Sequence, residues 1–458
     1  MQILISLTVL GMVTLFGGIL NYKKMLMPVI SAGVIVVFYF CVSGWNQNVS
    51  VLNHMITIDN YSIAFSCLML LLSFIVVFNY NQLAGSKEPH EAEVYALFIF
   101  ATVGAVIMTA FTNLLMLFLG IEILSLSMYV LAGLRKNDLR SNEAAMKYFL
   151  MGAFSTGFLL FGIALVYGAT ASFDLNNIGE YVTVNAASLP TFFIAGIVFI
   201  LVGLLFKVAA VPFQFWTPDV YDGAPTLVTS FMSSVGKVAA FAGFYRLFSI
   251  SFSNAGSDYS SMLMIISVIT MTIGNVMALS QSNVKRMLAY SSIAHAGYML
   301  MAIISMNNLS AGSIFYYSLS YGLASIICFS IIFIVEEKTG ETSIKSFAGF
   351  AKSNKMLAFS FAVALLSLSG IPITAGFFGK FYLFSAAIEN NYVWLVVAGV
   401  INSFVGVYYY FGPIIQMYMK EGEQQVFATN SLLKFGLLKI ALILLLAGII
   451  PGLIVNLI

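Results

Sequence analysis

Charge is the property that this chain has least of. Only 8% of its 458 residues are charged, whereas 60% are hydrophobic. Soluble globular proteins carry roughly 25% charged residues, so a soluble fold of this composition would have too little polar surface to cover its core. The apolar runs last about 20 residues, which is the length an α-helix needs to cross a bilayer and twice that of a barrel strand. The sequence therefore predicts an all-α, polytopic membrane protein.

Cysteine and histidine are also scarce, and their positions exclude several kinds of site. The three cysteines lie in apolar runs without CxxC spacing, so neither a disulfide framework nor an iron–sulfur site is indicated. Of the three histidines, only His295 lies in a predicted span. The longest polar stretch, residues 336–355, is too short for a domain that binds NADH or flavin. We expect no cofactor, metal or nucleic acid to bind this chain.

The polar breaks divide the sequence into about fourteen spans. Their predicted limits are 2–20, 25–44, 61–80, 93–111, 113–133, 145–170, 191–212, 225–249, 260–280, 286–306, 312–335, 356–388, 392–418 and 436–458. Sixteen of the 20 lysines and arginines fall in every other loop, starting with the first. Because these residues accumulate in cytoplasmic loops, both termini are predicted to lie on the outer, periplasmic side of a bacterial inner membrane.

Four ionisable residues lie well inside predicted spans: Glu122, Lys207, Lys237 and Lys380. Each costs about 2.5–3.5 kcal/mol at the centre of a bilayer unless it is paired or hydrated. A lysine stem can reach the interface from near the end of a span, but Lys237 lies about eleven residues, or roughly 16 Å, from either end. One buried acid beside three lysines favours proton transfer, because a sodium site would need clustered oxygen ligands. His295 is an additional candidate proton carrier.

Two predicted spans are broken in the same way, the seventh and the twelfth. Lys207 lies five residues before Pro212, and Lys380 lies eight residues after Pro372. A shift of five spans reverses orientation in the membrane, so spans 4–8 and 9–13 are predicted to form an inverted repeat, as in many transporters. The predicted divisions are an N-terminal three-helix segment, two antiporter-like repeats and a C-terminal helix: residues 1–90, 91–250, 251–420 and 421–458.

Three long strings resemble the antiporter-like membrane subunits of complex I, the proton-pumping NADH-quinone oxidoreductase. They are LLFKVAAVPFQFWTPDVYDGAPTLVTSFMSSVGK (204–237), NVKRMLAYSSIAHAGYML (283–300) and SLSGIPITAGFFGKFYLF (367–384). The resemblance covers about residues 90–420. It implies fourteen helices with inverted five-helix repeats and a hydrophilic axis along the middle of the membrane.

The resemblance also implies roles for single residues. Glu122 would pair with Lys207 as a modulating carboxylate, Lys237 would be the central connecting lysine, and Lys380 would donate protons at the outlet. His295 would belong to the same polar chain. Gln214 stands in VPFQFW where the resemblance implies histidine.

The resemblance further implies that the partners are other membrane-arm subunits of complex I and the lipid bilayer. NADH, FMN, iron–sulfur clusters and quinone would then be bound by other subunits of the complex. Two alternatives stay open from the sequence. One is a subunit of a multi-subunit cation/proton antiporter, and the other is a purely structural membrane-arm subunit.

Overall fold

The computed structural model describes residues 1–20, 22–84, 90–186, 188–253, 257–422, 429–455 and 457. In chain order its α-helices are α1 (Gln2–Ile19), α2 (Lys23–Ser43), α3 (Asn60–Leu83), α4 (Glu91–Ala110), α5 (Leu114–Ala132), α6 (Leu139–Thr170), α7 (Leu175–Val184), α8 (Thr191–Val208), α9 (Trp216–Gly223), α10 (Thr226–Phe231), α11 (Lys237–Leu247), α12 (Ser257–Leu279), α13 (Val284–Ser305), α14 (Ser310–Thr339), α15 (Phe350–Ser353), α16 (Lys355–Ser369), α17 (Ala375–Glu389), α18 (Val393–Met419), α19 (Ser431–Ile449) and α20 (Gly452–Val455).

Thirteen helices in the described part of the chain are long and apolar enough to cross a membrane. A further crossing is made of two shorter helices, α16 and α17, each 15 residues long and joined by residues 370–374. Neither half is long enough to span the hydrocarbon alone, since 15 residues of helix rise about 22 Å. Together they supply the fourteenth crossing, with the break where the sequence predicts it.

The other predicted break follows α8. The helix ends at Val208, and Ala209 takes a left-handed conformation with φ of 62°. The chain resumes as the short helix α9 at Trp216, eight residues after Val208. A proline in this segment cannot donate the backbone hydrogen bond that a continuous helix would need. The predicted break is therefore confirmed, and it leaves Lys207 in the last turn of α8.

The next crossing is a continuous helix from Thr226 to Phe252 that contains two π-helical turns. The first π turn, Met232–Gly236, ends immediately before Lys237. A π turn shifts the register of backbone hydrogen bonds and is frequent at functional sites. This π turn was not predicted, because its residues continue the apolar run of the span on either side.

Two features at the ends of the crossings were also not predicted. A short hairpin pairs β1 (Val49–Val51) with β2 (Ile56–Ile58) in antiparallel register. The amphipathic helix α7 buries Leu175, Ile178 and Val182 against the end of the helix that carries Lys237. Both elements are shorter than a membrane span, so the hydropathy pattern could not identify them.

The connections between crossings are held together at both ends of the bundle. At one end, isolated β-bridges join Ile56 to Phe111 and Asn113 to Asp174, and Arg246 forms an ion pair with Asp59 at 2.9 Å. At the opposite end a bridge joins Asn283 to Ser343. We call the second end the lysine-rich end, because the loops that carry most of the lysines and arginines lie there.

Within the bundle, neighbouring helices approach closely at small residues. A Cβ atom added to Gly162 of α6 would lie 2.7 Å from the carbonyl oxygen of Gly196 on α8. Small residues allow such backbone contact, which drives helix association where lipid removes the usual hydrophobic force. This close packing fixes the positions from which the buried lysines extend.

Candidate functional site: a chain of buried lysines

Lys207 extends from the last turn of α8 toward α5. Its Nζ donates a hydrogen bond to the Ser125 hydroxyl at 2.7 Å and lies 3.5 Å from the Tyr148 hydroxyl. The ammonium also lies 5.7 Å from the centre of the Tyr148 ring, within the range of a cation–π contact. Only 8% of the residue is exposed. The charge is thus held by neutral polar groups and an aromatic face.

Glu122 lies on α5 one helical turn before Ser125, so both side chains project from the same face of that helix. Its Oε1 atom is buried and has no hydrogen-bond partner among the described residues. Lys207 binds Ser125, and the described residues include no ion pair between it and Glu122. Lys207 therefore binds a hydroxyl group that lies one turn along α5 from the carboxylate with which it is implied to pair.

Lys207 and Lys237 both line a small cavity of about 10 Å³. Its lining also includes Leu124, Met128, Tyr148, Trp216, Tyr221, Met232 and Gly236. A cavity needs about 10–15 Å³ of this volume to hold one water molecule. Both lysines therefore line a cavity whose volume is about that needed for one water molecule.

Lys237 lies at the first position of α11 and is 3% exposed. Its Nζ donates to both the backbone carbonyl and the hydroxyl of Ser292 on α13, the latter at 2.5 Å. The Tyr321 hydroxyl of α14 donates to the Ser292 hydroxyl at 3.0 Å. The central lysine is thus linked by hydrogen bonds to the helix that carries His295.

His295 lies one turn after Ser292 on α13 and is 3% exposed. Its Nε2 atom lies 2.8 Å from the Tyr410 hydroxyl, and its Nδ1 atom hydrogen-bonds the Tyr317 hydroxyl. A neutral imidazole donates at one nitrogen and accepts at the other. A ring bonded at both nitrogens can accept a proton on one side and release one on the other.

Lys380 lies beside the break between α16 and α17. Its Nζ donates to the backbone carbonyl of Ser369 at 2.9 Å and to the Ser403 hydroxyl at 2.8 Å. Gly370 takes φ of 84° at the break, a conformation that glycine adopts without strain. A Cβ atom at this position would lie 3.0 Å from Lys380 Cδ. The broken helix therefore supplies both the acceptor for the ammonium and the space for its stem.

Tyr298 lies between His295 and Lys380. The ammonium of Lys380 lies 4.9 Å from the centre of the Tyr298 ring, and the His295 and Tyr298 rings are 6.0 Å apart. The structure thus brings four of the five candidate residues into one row, in the order Lys207, Lys237, His295 and Lys380. Glu122 flanks the row beside Lys207.

The described residues contain no group of three or more His, Cys, Asp or Glu side chains that could hold a metal ion.

Comparison with known proteins identifies the family. The sequence family described as "NADH:quinone oxidoreductase/Mrp antiporter, TM" matches residues 111–406. The NADH-quinone oxidoreductase subunit N of Trichlorobacter lovleyi is 42% identical over 99% of this chain and 94% of the relative. The subunit N of Cytophaga hutchinsonii is 40% identical over 100% of this chain and 99% of the relative. The chain belongs to the NADH-quinone oxidoreductase subunit N family. It is a multi-pass membrane protein, and the family resemblance of the three strings is confirmed.

Solved structures show the same fold as this subunit N family member. A chain of the respiratory complex I from Thermus thermophilus with bound aureothin is 30% identical, with a TM-score of 0.86 over 99% of this chain and 98% of that chain. A chain of the Mrp complex from a Dietzia species matches with a TM-score of 0.86 over 100% of this chain and 96% of that chain, but is 19% identical. The second match shows the fold alone.

The polar partners of the candidate residues are serines and tyrosines that sequence reasoning missed. Ser125 and Ser292 each lie three residues from a candidate, Glu122 and His295 respectively, which places each pair on one helix face. These two serines could therefore have been identified from the sequence as polar residues on the same helix face as a candidate residue. The tyrosine partners come from other helices, and a single sequence does not specify which helices are neighbours.

Gln214 stands where the resemblance to the antiporter-like subunits implied a histidine. It lies in the break between α8 and α9 and is buried, with 7% of its surface exposed. Its Oε1 atom has no hydrogen-bond partner in the described part of the chain. Unlike an imidazole, the amide side chain of Gln214 does not gain or lose a proton near neutral pH. This position therefore offers a polar contact without a titrating group.

Proposed function

We propose that this chain is a proton-translocating membrane subunit of a bacterial respiratory NADH:quinone oxidoreductase. Glu122, Lys207, Lys237, His295 and Lys380 carry out the translocation. The observation that supports these roles most directly is the cavity of about 10 Å³ that both Lys207 and Lys237 line. It leaves room for proton transfer between two buried bases without opening the bundle.

Lys207 is the switch in this proposal. Its ammonium now binds Ser125 and could move by about one helical turn to form an ion pair with Glu122. An ion pair favours the charged form of lysine, and its loss in a desolvated site favours release of the proton. Shifting Lys207 between Ser125 and Glu122 therefore changes its tendency to give its proton to Lys237 through the shared cavity.

Lys237 then passes the proton toward Lys380. Ser292 and the two tyrosines bonded to His295 provide exchangeable protons along this part of the row. Lys380 holds the proton at the break, where the Ser369 carbonyl stabilises the ammonium. Release from Lys380 to the outer side completes the transfer and returns the lysine to its neutral form.

The orientation and the internal divisions belong to the same proposal. Both termini lie on the outer, periplasmic side, and the lysine-rich end faces the cytoplasm. Residues 91–250 and 251–420 act as the two antiporter-like repeats, flanked by residues 1–90 and 421–458. Each repeat then contributes one broken helix and one lysine beside the break.

The partners in this proposal are other subunits of the membrane arm, together with the lipid bilayer. NADH, FMN, iron–sulfur clusters and quinone are bound elsewhere in the complex, and electron transfer there supplies the energy. The relatives that are 40–42% identical along nearly the whole chain carry the name subunit N. They favour this assignment over a subunit of a cation/proton antiporter.

Lys207→Met in the intact complex tests the proposal. Methionine keeps an apolar stem of similar length but cannot carry a proton. We expect proton pumping in inverted membrane vesicles to fall strongly while the complex still assembles. Lys439→Met is the matched control, since Lys439 is exposed on α19. Parental pumping by Lys207→Met would contradict the assigned role and favour a structural subunit.

A further inference from the structure

We propose that the C-terminal helix α19 holds the break between α16 and α17 in the conformation that Lys380 requires, and that Gly448 is the positioning residue through which it does so. This inference rests on the proposed function, because it takes Lys380 as a carrier of protons. It concerns a helix that contributes no residue to the row of candidate residues.

The break contains a strained residue. Ile373 takes a φ of 78°, in the left-handed region that β-branched side chains rarely adopt. Among the residues that the structure describes, it is the one β-branched residue with a positive φ. Its side chain is 65% exposed, so packing of that side chain does little to hold the backbone. Strained backbone persists only where the surrounding structure holds it, and another part of the fold must therefore do so.

Gly448 supplies the contact that holds this backbone. It lies in the last turn of α19, and a Cβ atom added to it would lie 2.6 Å from the Thr374 carbonyl carbon and 2.7 Å from the Ile373 carbonyl carbon. The Ile373 carbonyl oxygen would lie nearer still. Carbon atoms that are not bonded are best separated by about 3.5–4.0 Å. Any residue larger than glycine at this position would therefore push the break away from α19.

The end of α19 is itself held in place by α14. The hydroxyl of Tyr316, which is buried on α14, donates a hydrogen bond to the Ala447 carbonyl at 2.7 Å. This carbonyl is in the last turn of α19, where the helix supplies no partner for it. The next residue of α14, Tyr317, is bonded to His295. The last turn of α19 is therefore fixed to a helix that contacts the row, while its glycine contacts the break.

The conformation of the break determines the surroundings of Lys380. The hydrogen bond from Lys380 to the Ser369 carbonyl joins α17 to α16, so its length depends on how the two half-helices are placed. The backbone N–H of Gly376 also donates to the Ser367 hydroxyl at 3.1 Å, which links the halves a second time. A shift of the peptide after Ile373 would move the halves relative to each other and displace the acceptor of the ammonium group.

Gly448→Ala in the whole complex tests this inference. The added methyl group should displace the break, so we expect the number of protons pumped per electron to fall toward the value of Lys380→Met. Gly436→Ala is the matched control and should keep the parental ratio. Gly436 lies on the same helix, and a Cβ atom there would have no neighbour within 4 Å in the described part of the chain. The ratio is measured in inverted membrane vesicles, where a smaller amount of assembled complex does not change it.

Ile373→Gly combined with Gly448→Ala shows where the added methyl group acts. Glycine adopts a positive φ without strain, so the peptide can turn away from the methyl group while the two half-helices stay in place. We expect the double variant to recover most of the ratio that Gly448→Ala loses. If it recovers nothing, the methyl group acts at another contact and the inference is overturned.

A parental ratio for Gly448→Ala would also overturn the inference, however little complex assembles, because the glycine would then serve packing alone. If Gly448→Ala prevents assembly altogether, Tyr316→Phe decides instead, since it releases the Ala447 carbonyl without adding bulk. A lower ratio for Tyr316→Phe supports the inference, and a parental ratio contradicts it.

Lys380→Met, measured alongside, separates this inference from the proposed function. A parental ratio for Lys380→Met means that the proposed function itself fails. If Lys380→Met lowers the ratio while Gly448→Ala keeps it, only the role of Gly448 fails.

Discussion

Lys380 donates a hydrogen bond across a helix break to the backbone carbonyl of Ser369, 2.9 Å away. This carbonyl is at the last residue of α16, where the helix no longer supplies a partner for it. The break thus leaves a hydrogen-bond acceptor inside the membrane, and the Lys380 ammonium group donates to it. A lysine that extended its stem to the interface would instead leave this carbonyl unsatisfied.

Lys380→Met should therefore abolish most proton pumping, because methionine preserves the stem and removes the exchangeable proton. Lys380→Arg should fail as well, since arginine stays protonated and cannot release its charge. The measurement is the ratio of protons to electrons in inverted membrane vesicles. A parental ratio for Lys380→Met would show that this lysine is only an anchor, and the exit-site assignment would be wrong.

Glu122→Gln should lower pumping without preventing assembly. Loss of the carboxylate removes the second position that Lys207 can occupy, so the lysine would remain bound to Ser125. Pumping and the amount of assembled complex can be compared by native mass spectrometry and vesicle assays. If assembly were lost while pumping per remaining complex stayed normal, Glu122 would have a packing role.

Asp219 holds α9 in place through two ion pairs, to Lys147 at 2.7 Å and to Arg286 at 3.1 Å. Partial burial acts to raise the pKa of Asp219, but the hydrogen bonds and charges of Lys147 and Arg286 outweigh it and hold this pKa below its ordinary value of 3.8. The carboxylate therefore contributes its attraction at all pH values above 3.8, and loses it only as the pH falls through the lowered pKa.

Asp219→Asn should loosen α9 and disturb Trp216 and Tyr221, which line the lysine cavity. We expect a partial loss of turnover. Because Asp219 is ionised across the working range, the activity of the variant relative to the parent should be the same at mildly acidic and at alkaline pH. If the activity of Asp219→Asn instead approached that of the parent on mild acidification, Asp219 would titrate near neutrality.

The alternation of lysine and arginine predicts the orientation of the chain. Reporter fusions placed after Lys24 and after Lys355 should both report the cytoplasm, because each follows a loop assigned to that side. Fusions that report opposite sides would contradict the arrangement of an even number of crossings with both termini outside.

Much of the fold could be predicted because the membrane restricts it so strongly. Every backbone group in lipid must be satisfied internally, so long apolar runs become helices, and α4 and α13 begin and end within a few residues of their predicted limits. The breaks near Pro212 and Pro372 follow from the missing donor of proline. The short helix α7 and the π turn before Lys237 could not be predicted, because neither depends on the length of an apolar run.

The candidate site could be predicted only in part. A charge inside an apolar run is conspicuous, which is why Lys207, Lys237 and Lys380 could be identified individually. Their partners are ordinary residues such as Ser125 and Ser403, whose importance depends on which helices pack together. Tertiary packing also determines which group Lys207 binds. In this structure it binds the Ser125 hydroxyl, although the resemblance implied the Glu122 carboxylate.

The most direct measurement of the central claim is the proton-to-electron ratio of the complex carrying Lys237→Met. Lys237 links the cavity it shares with Lys207 to Ser292 and the His295 helix, so every proton that follows the row passes through it. The account predicts that NADH oxidation persists at a reduced rate with fewer protons pumped per electron, while Lys439→Met keeps the parental ratio. A parental ratio for Lys237→Met would contradict the account, since protons would then cross without the central lysine.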